Sequence, residues 1–116
     1  MIWTSIITNQ AYTATFLGGS SESTKLIPGL PITNNVAYSI AARYNLVTKN
    51  YVWMKAFVDS QKLTSAITSL ALNDDESCLA MAGSMKDSPT INTIKTIFVY
   101  LVDPKTGMKK YSYFTS

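Results

Sequence analysis

Histidine is absent from the chain, which removes the side chain most used as a general base near neutral pH and the commonest metal ligand. A single cysteine, Cys78, rules out an internal disulfide and a cysteine metal cluster. Charge is scarce: charged residues make up 15% of the 116, too few for a disordered tail, and leave a net +3. The basic residues are scattered. Their one cluster, Lys105, Lys109 and Lys110, surrounds an apparent hairpin and reads as a solvated turn guarding a strand edge, not as a nucleic-acid surface. No apolar run approaches the ~20 residues that span a bilayer as a helix. The N-terminal Met1-Ile2-Trp3-Thr4-Ser5 lacks the charged start of a signal peptide, and no Asn-x-Ser/Thr acceptor occurs. Compartment is therefore barely legible, with a slight leaning to the extracellular side or the cell surface.

What is present points to β-structure. Hydrophobic residues are 47% of the chain and aromatic residues 11%, enough for a packed core in one small domain. Ser and Thr number 27, and with Val and Ile they favour strands and turns over helices.

The chain also contains itself twice. Thr4 to Ser20 aligns on Thr68 to Ser84 at a constant offset of 64, with Thr4/Thr68, Ser5/Ser69, Asn9/Asn73, Gly19/Gly83 and Ser20/Ser84 identical. Further on the offset falls to 58, pairing Asn45 with Asp103, Thr48 with Thr106 and Trp53 with Tyr111. One cause accounts for both offsets: the first copy carries six extra residues in the loop Ser21 to Asn34. Insertions confined to a loop between matching strands are what a duplicated supersecondary unit shows.

Each copy reads as strand, turn, strand, long loop, strand, tight turn, strand. The predicted strands lie near 4–8, 12–18, 36–46 and 51–58, then 66–72, 78–83, 94–102 and 108–115. Val36 to Leu46 alternates with period two, as a strand with one apolar face does. Ile94 to Val102 is apolar on both sides after Lys95 and Thr96, which suits a strand held between two sheets. Asp103-Pro104-Lys105-Thr106-Gly107 supplies an acceptor side chain, a fixed φ and a residue free to take φ > 0, the needs of a tight turn. A helix is the competing reading only for Val52 to Leu63.

These residues resemble a known repeat. Trp53-Met54-Lys55-Ala56-Phe57, then Ser69-Leu70-Ala71-Leu72-Asn73-x-Asp75, Leu79-Ala80-Met81-Ala82-Gly83-Ser84 and Phe98-Val99-Tyr100-Leu101-Val102-Asp103-x-x-Thr106-Gly107 look like the blade repeat of SBBP-type and quinoprotein-like β-propellers. The resemblance covers nearly the whole chain, closely in the second copy and loosely in the first. Asn45 stands in for the turn Asp, Lys49 for the turn Gly, and Tyr111 where the first copy has Trp53. It implies an all-β chain of two antiparallel four-stranded blade-like units, 1–58 and 59–116, belonging to a larger propeller or to a self-assembled ring or filament. Two such units close no ring, and each blade buries its faces only against neighbours.

The expected function follows from those open faces: a non-enzymatic scaffold module that associates with copies of itself or with further blades. Ala80, Ala82, Gly83, Gly19, Trp53 and Tyr111 are its candidate packing residues. Glu22, Lys25, Pro28 and Pro31 in the inserted loop are candidates for a partner or ligand contact. The alternative is a lectin-like subunit that binds a glycan or a protein, with Tyr12, Tyr44 and Trp53 as stacking aromatics that at strand spacing equally suit a core. No Gly-x-Ser-x-Gly, Cys/His pair or phosphate-binding glycine loop supports an enzyme. Some quinoprotein-like members bind pyrroloquinoline quinone, but no residues here carry that site over, so no cofactor is expected. The acidic Asp74, Asp75 and Glu76 align with Gln10, Ala11 and Tyr12, and read as a hairpin turn and not a calcium site.

Overall fold

A computed structural model describes residues 2–22, 37–57, 64–86 and 95–115. They form eight strands and no helix: β1 (Ile2–Thr8), β2 (Ala14–Ser21), β3 (Tyr38–Asn45) and β4 (Asn50–Phe57), then β5 (Ser65–Leu72), β6 (Leu79–Lys86), β7 (Lys95–Val102) and β8 (Lys109–Thr115). Each set of four makes one antiparallel meander, ordered β1-β2-β3-β4 and β5-β6-β7-β8, and neither sheet closes on itself. None of the described residues forms a helix long and apolar enough to cross a membrane.

The strands fall where period-two alternation and turn residues place them, their ends within three residues of expectation and furthest off at the ends of β2 and β6. β4 covers the start of the segment with a helical alternative, because Trp53, Met54 and Ala56 pair with Arg43, Ala42 and Ile40 of β3. β6 runs past the Gly83-Ser84 pair to Lys86, since β7 continues the ladder through Met85↔Thr96 and Lys86↔Lys95.

The duplication holds at the level of register. In β1 the pairing shifts between Trp3 and Ser5, leaving Thr4 as the extra residue, and in β5 it shifts between Ile67 and Ser69, leaving Thr68. These are bulges at the same repeat position. A second bulge recurs at Val52 in β4 and Lys110 in β8, where the registers jump between Arg43/Tyr44 and between Leu101/Val102. The bulges in β1 and β5 also explain two shared glycines. A Cβ on Gly19 would lie 1.9 Å from the Ile2 carbonyl oxygen, and one on Gly83 2.0 Å from that of Ala66. Both positions exclude any side chain.

The sheets stack face to face. The first contributes Ala14, Phe16, Ala41, Trp53 and Phe57 to the shared core; the second contributes Ile67, Leu70, Leu79, Met81, Met85, Phe98, Tyr100 and Val102. Aromatic rings bridge the join, with Phe57 5.6 Å from Tyr100 and Tyr100 4.6 Å from Phe98 between centroids. A full burial such as that of Phe16 is worth about 1.5–3 kcal/mol. Polar links add direction: Thr4 Oγ1 donates to the Ile67 carbonyl, the Ser65 amide donates to the Ala37 carbonyl at 2.9 Å, and the Ser39 and Ser65 hydroxyls lie 2.8 Å apart.

Candidate functional site

The joint between the sheets is organised by one turn of the second. The Asp103 Oδ1 accepts from the Lys105 amide at 2.9 Å, and the Gly107 amide donates back to the Asp103 carbonyl at 2.7 Å. This closure drives Gly107 to φ +74, open to glycine at little cost. It also buries Pro104 with its carbonyl pointing at the first sheet. Trp53 on β4 occupies the seat so formed. Its indole Nε1 donates to the Pro104 carbonyl at 2.9 Å, and its ring lies over Gly107, where an added Cβ would sit 2.7 Å from Cδ2 and Cε3. Arg43 Nη1 donates to the same carbonyl at 3.0 Å, and its guanidinium lies 5.4 Å from the centroid of Phe16. Arg43 Nε is buried without a partner. The spacing of Asp103 to Gly107 announced the turn; nothing in the sequence announced that its carbonyl receives Trp53.

The first sheet has the counterpart turn, built differently. The Asn45 Oδ1 accepts from the Val47 and Thr48 amides at 2.9 and 3.1 Å, and the Lys49 amide donates to the Asn45 carbonyl at 2.8 Å. Lys49 therefore sits at φ +61, the conformation of Gly107, with a side chain that Gly107 lacks.

Strand alternation assigns the remaining positions to faces. On β6, Leu79, Met81 and Met85 face the first sheet, so Ala80 and Ala82 lie on the outer side, half-buried. Gly83 points inward, against the Ala66 carbonyl and Phe98, and Gly19 takes the matching place against Ile2 on the first sheet. Tyr111 pairs with Leu101 and Tyr113 with Val99, which puts all four on the outer face of the second sheet. Ile97, Tyr111 and Tyr113 are there 55%, 61% and 57% exposed, and the two tyrosine rings stack at 6.5 Å. β7 is thus apolar on both faces but covered on one. Cys78, just before β6, is partly exposed, whereas its counterpart Ala14 is buried between the sheets.

Around the first hairpin of each unit, Asn9 and Asn73 do one job. Asn9 Oδ1 accepts from the Thr13 and Ala14 amides and Asn73 Oδ1 from the Cys78 amide, while their Nδ2 groups donate to Thr13 Oγ1 at 2.9 Å and Ser77 Oγ at 2.8 Å. Tyr12 and Glu76 take the same positive φ, 57 and 56. Asn9 Nδ2 also reaches Glu76 Oε1 at 3.0 Å and ties the hairpins together. Asp75 accepts from the Ser77 hydroxyl at 2.6 Å and the Ser77 amide at 3.1 Å, and these bonds, the hydroxyl's first, hold its carboxyl below the ordinary value. Between the hairpins lies a cleft of about 270 Å³ whose polar lining includes Asn9, Gln10, Asn73, Asp74 and Glu76.

Among the other sequence candidates, Tyr12 is 78% exposed, Tyr44 packs edge-on to Tyr51 at 5.1 Å, and Glu22 is exposed at the end of β2. Lys25, Pro28 and Pro31 lie outside the described residues. Among the described residues no three His, Cys, Asp or Glu side chains gather into a metal-holding group. No protein-family model, curated protein or solved structure matches the chain.

Proposed function

We propose that the chain is a non-enzymatic assembly module, two blade-like sheets of the SBBP or quinoprotein-like propeller kind, which associates through the outer face of its second sheet. One observation carries this reading. That face is the repeat counterpart of the face by which the first sheet is buried against the second, yet it leaves Ile97, Tyr111 and Tyr113 more than half exposed. An apolar sheet face of this kind is an association surface by default. Sedimentation velocity of the full chain over a concentration series tests it. The expected result is a mass that rises above that of one chain with concentration; a single-chain mass at every concentration overturns it.

A glycan-binding module is the second reading, supported by the cleft between the hairpins. Its amide and carboxylate groups suit sugar hydroxyls, and Tyr12 stands exposed on one of the two hairpins. A glycan array with the full chain tests it: binding lost on Asn73→Ala supports it, and an array without signal rejects it.

A further inference from the structure

Resting on the assembly reading, we infer that the occupant of the open face is the same face of a second copy. The two chains would be related by a two-fold axis, with each first sheet left on the outside as a cap.

The composition of the face is the first reason. Along β7 and at Tyr113 its residues are more apolar than their counterparts at the internal joint, while Ala80 and Thr115 stand where that joint has Phe16 and Phe57. Ile97 replaces Ser39, Val99 replaces Ala41, Leu101 replaces Arg43 and Tyr113 replaces Lys55. The two cations that the first sheet carries on its packing face are thus missing here. Arg43 and Lys55 in the middle of a face would repel their own images across a two-fold axis through it; here the middle is uncharged, and the paired lysine positions 86 and 95 lie at one end of the face. Lys110 stands at the rim, its Nζ 3.4 Å from the Ser77 carbonyl.

The second reason excludes the other arrangement of copies. Head-to-tail growth repeats the internal joint, so Tyr111 of one chain would have to settle on the Asn45–Lys49 turn of the next. The internal seat works because Gly107 has no Cβ: one there would lie 2.7 Å from two atoms of the aromatic ring. Lys49 holds the same backbone conformation and carries that Cβ. Tyr111 also lacks the indole N–H by which Trp53 reaches the Pro104 carbonyl. The seat is closed at the first sheet. A heterologous contact builds open fibres or rings, whereas an isologous one uses a single patch twice and stops at two. Two aligned sheet faces about 10 Å apart pack in this way in sandwiches.

Sedimentation equilibrium of the full chain tests the inference, beside two variants at exposed positions. The expected mass levels off at twice that of one chain. Tyr113→Glu weakens association by more than roughly tenfold, because it buries a charge against its own copy. Ile6→Glu, on the first sheet and 65% exposed, leaves it unchanged. Alkylation of Cys78, the only thiol, is the second readout and slows as wild type associates but not in Tyr113→Glu. Growth beyond two chains, or loss of association in Ile6→Glu, overturns the two-fold arrangement and leaves the assembly reading standing. A single-chain mass with Cys78 equally reactive at all concentrations overturns both.

Discussion

The two sheets are built on one plan and differ most at the turn before their last strand. In the second sheet the plan is complete: Gly107 opens a seat, Pro104 offers its carbonyl, and Trp53 of the first sheet fills both. In the first sheet the same hydrogen-bonded turn carries Lys49, and the residue at Trp53's place in the second sheet is an exposed Tyr111. A repeat can thus keep its fold while losing its contact. Backbone geometry survives because Asn45 and Asp103 both accept turn amides; docking does not, because it depends on one missing Cβ.

The sharpest way to break the comparison is to truncate the two aromatics. Trp53→Ala removes a buried ring and leaves the Pro104 carbonyl with only Arg43, so a loss of about 3–5 kcal/mol is expected. Tyr111→Ala, measured in dilute solution where one chain stands alone, is expected to cost less than about 1 kcal/mol, as an exposed position does. Urea denaturation of both variants decides. Equal losses would mean that the Trp53 seat contributes nothing beyond an ordinary strand residue.

The next contrast inverts a sign. Gly107→Ala forces a side chain into φ +74 and against the Trp53 ring, for a loss of about 2 kcal/mol or more. Lys49→Gly relieves a lysine at φ +61 and is expected to gain about 0.5–1 kcal/mol. Thermal unfolding of the two variants should move Tm in opposite directions. If both fall, the two turns do not share a conformation in solution.

These contrasts mark what the residues disclosed and what they hid. The offset of 64 was visible in Asn9/Asn73 and Gly19/Gly83, and the two hairpins follow it down to single hydrogen bonds. The offset of 58 survived the change from glycine to lysine, because the Asx turn is specified by Asn45 and Asp103. The purpose of Gly19 and Gly83 was hidden. Small residues on a strand suggest close approach of another sheet, but these two yield to carbonyls of their own sheet. The cause is a bulge, a property of register that no single strand displays. The seat for Trp53 was hidden too, since it joins residues about fifty positions apart through a backbone carbonyl. β7 showed its two apolar faces plainly, and composition alone could not say that one lacks a cover.

The smallest effect tests one of the three positions at which the first hairpin of each unit differs in charge. Asp75 has Ala11 as its counterpart, so only the second hairpin carries a carboxylate that accepts from its own turn. Its lowered pKa stems first from the Ser77 hydroxyl and next from the Ser77 amide. A carboxyl with a folded pKa below its unfolded value stabilises the fold above the unfolded pKa. That contribution fades as pH falls through the folded one. Ser77→Ala deletes the hydroxyl and keeps the amide, so the Asp75 carboxyl should move part of the way back up towards its ordinary value. An NMR titration of the Asp75 side-chain carbon reads this directly. The Asn73 and Cys78 amides, which share the turn, should follow the same midpoint, while the Asn9 and Ala14 amides of the first hairpin stay flat. An unchanged Asp75 midpoint in Ser77→Ala would show that the hydroxyl does not hold the carboxylate, leaving the Ser77 amide as the bond that lowers it.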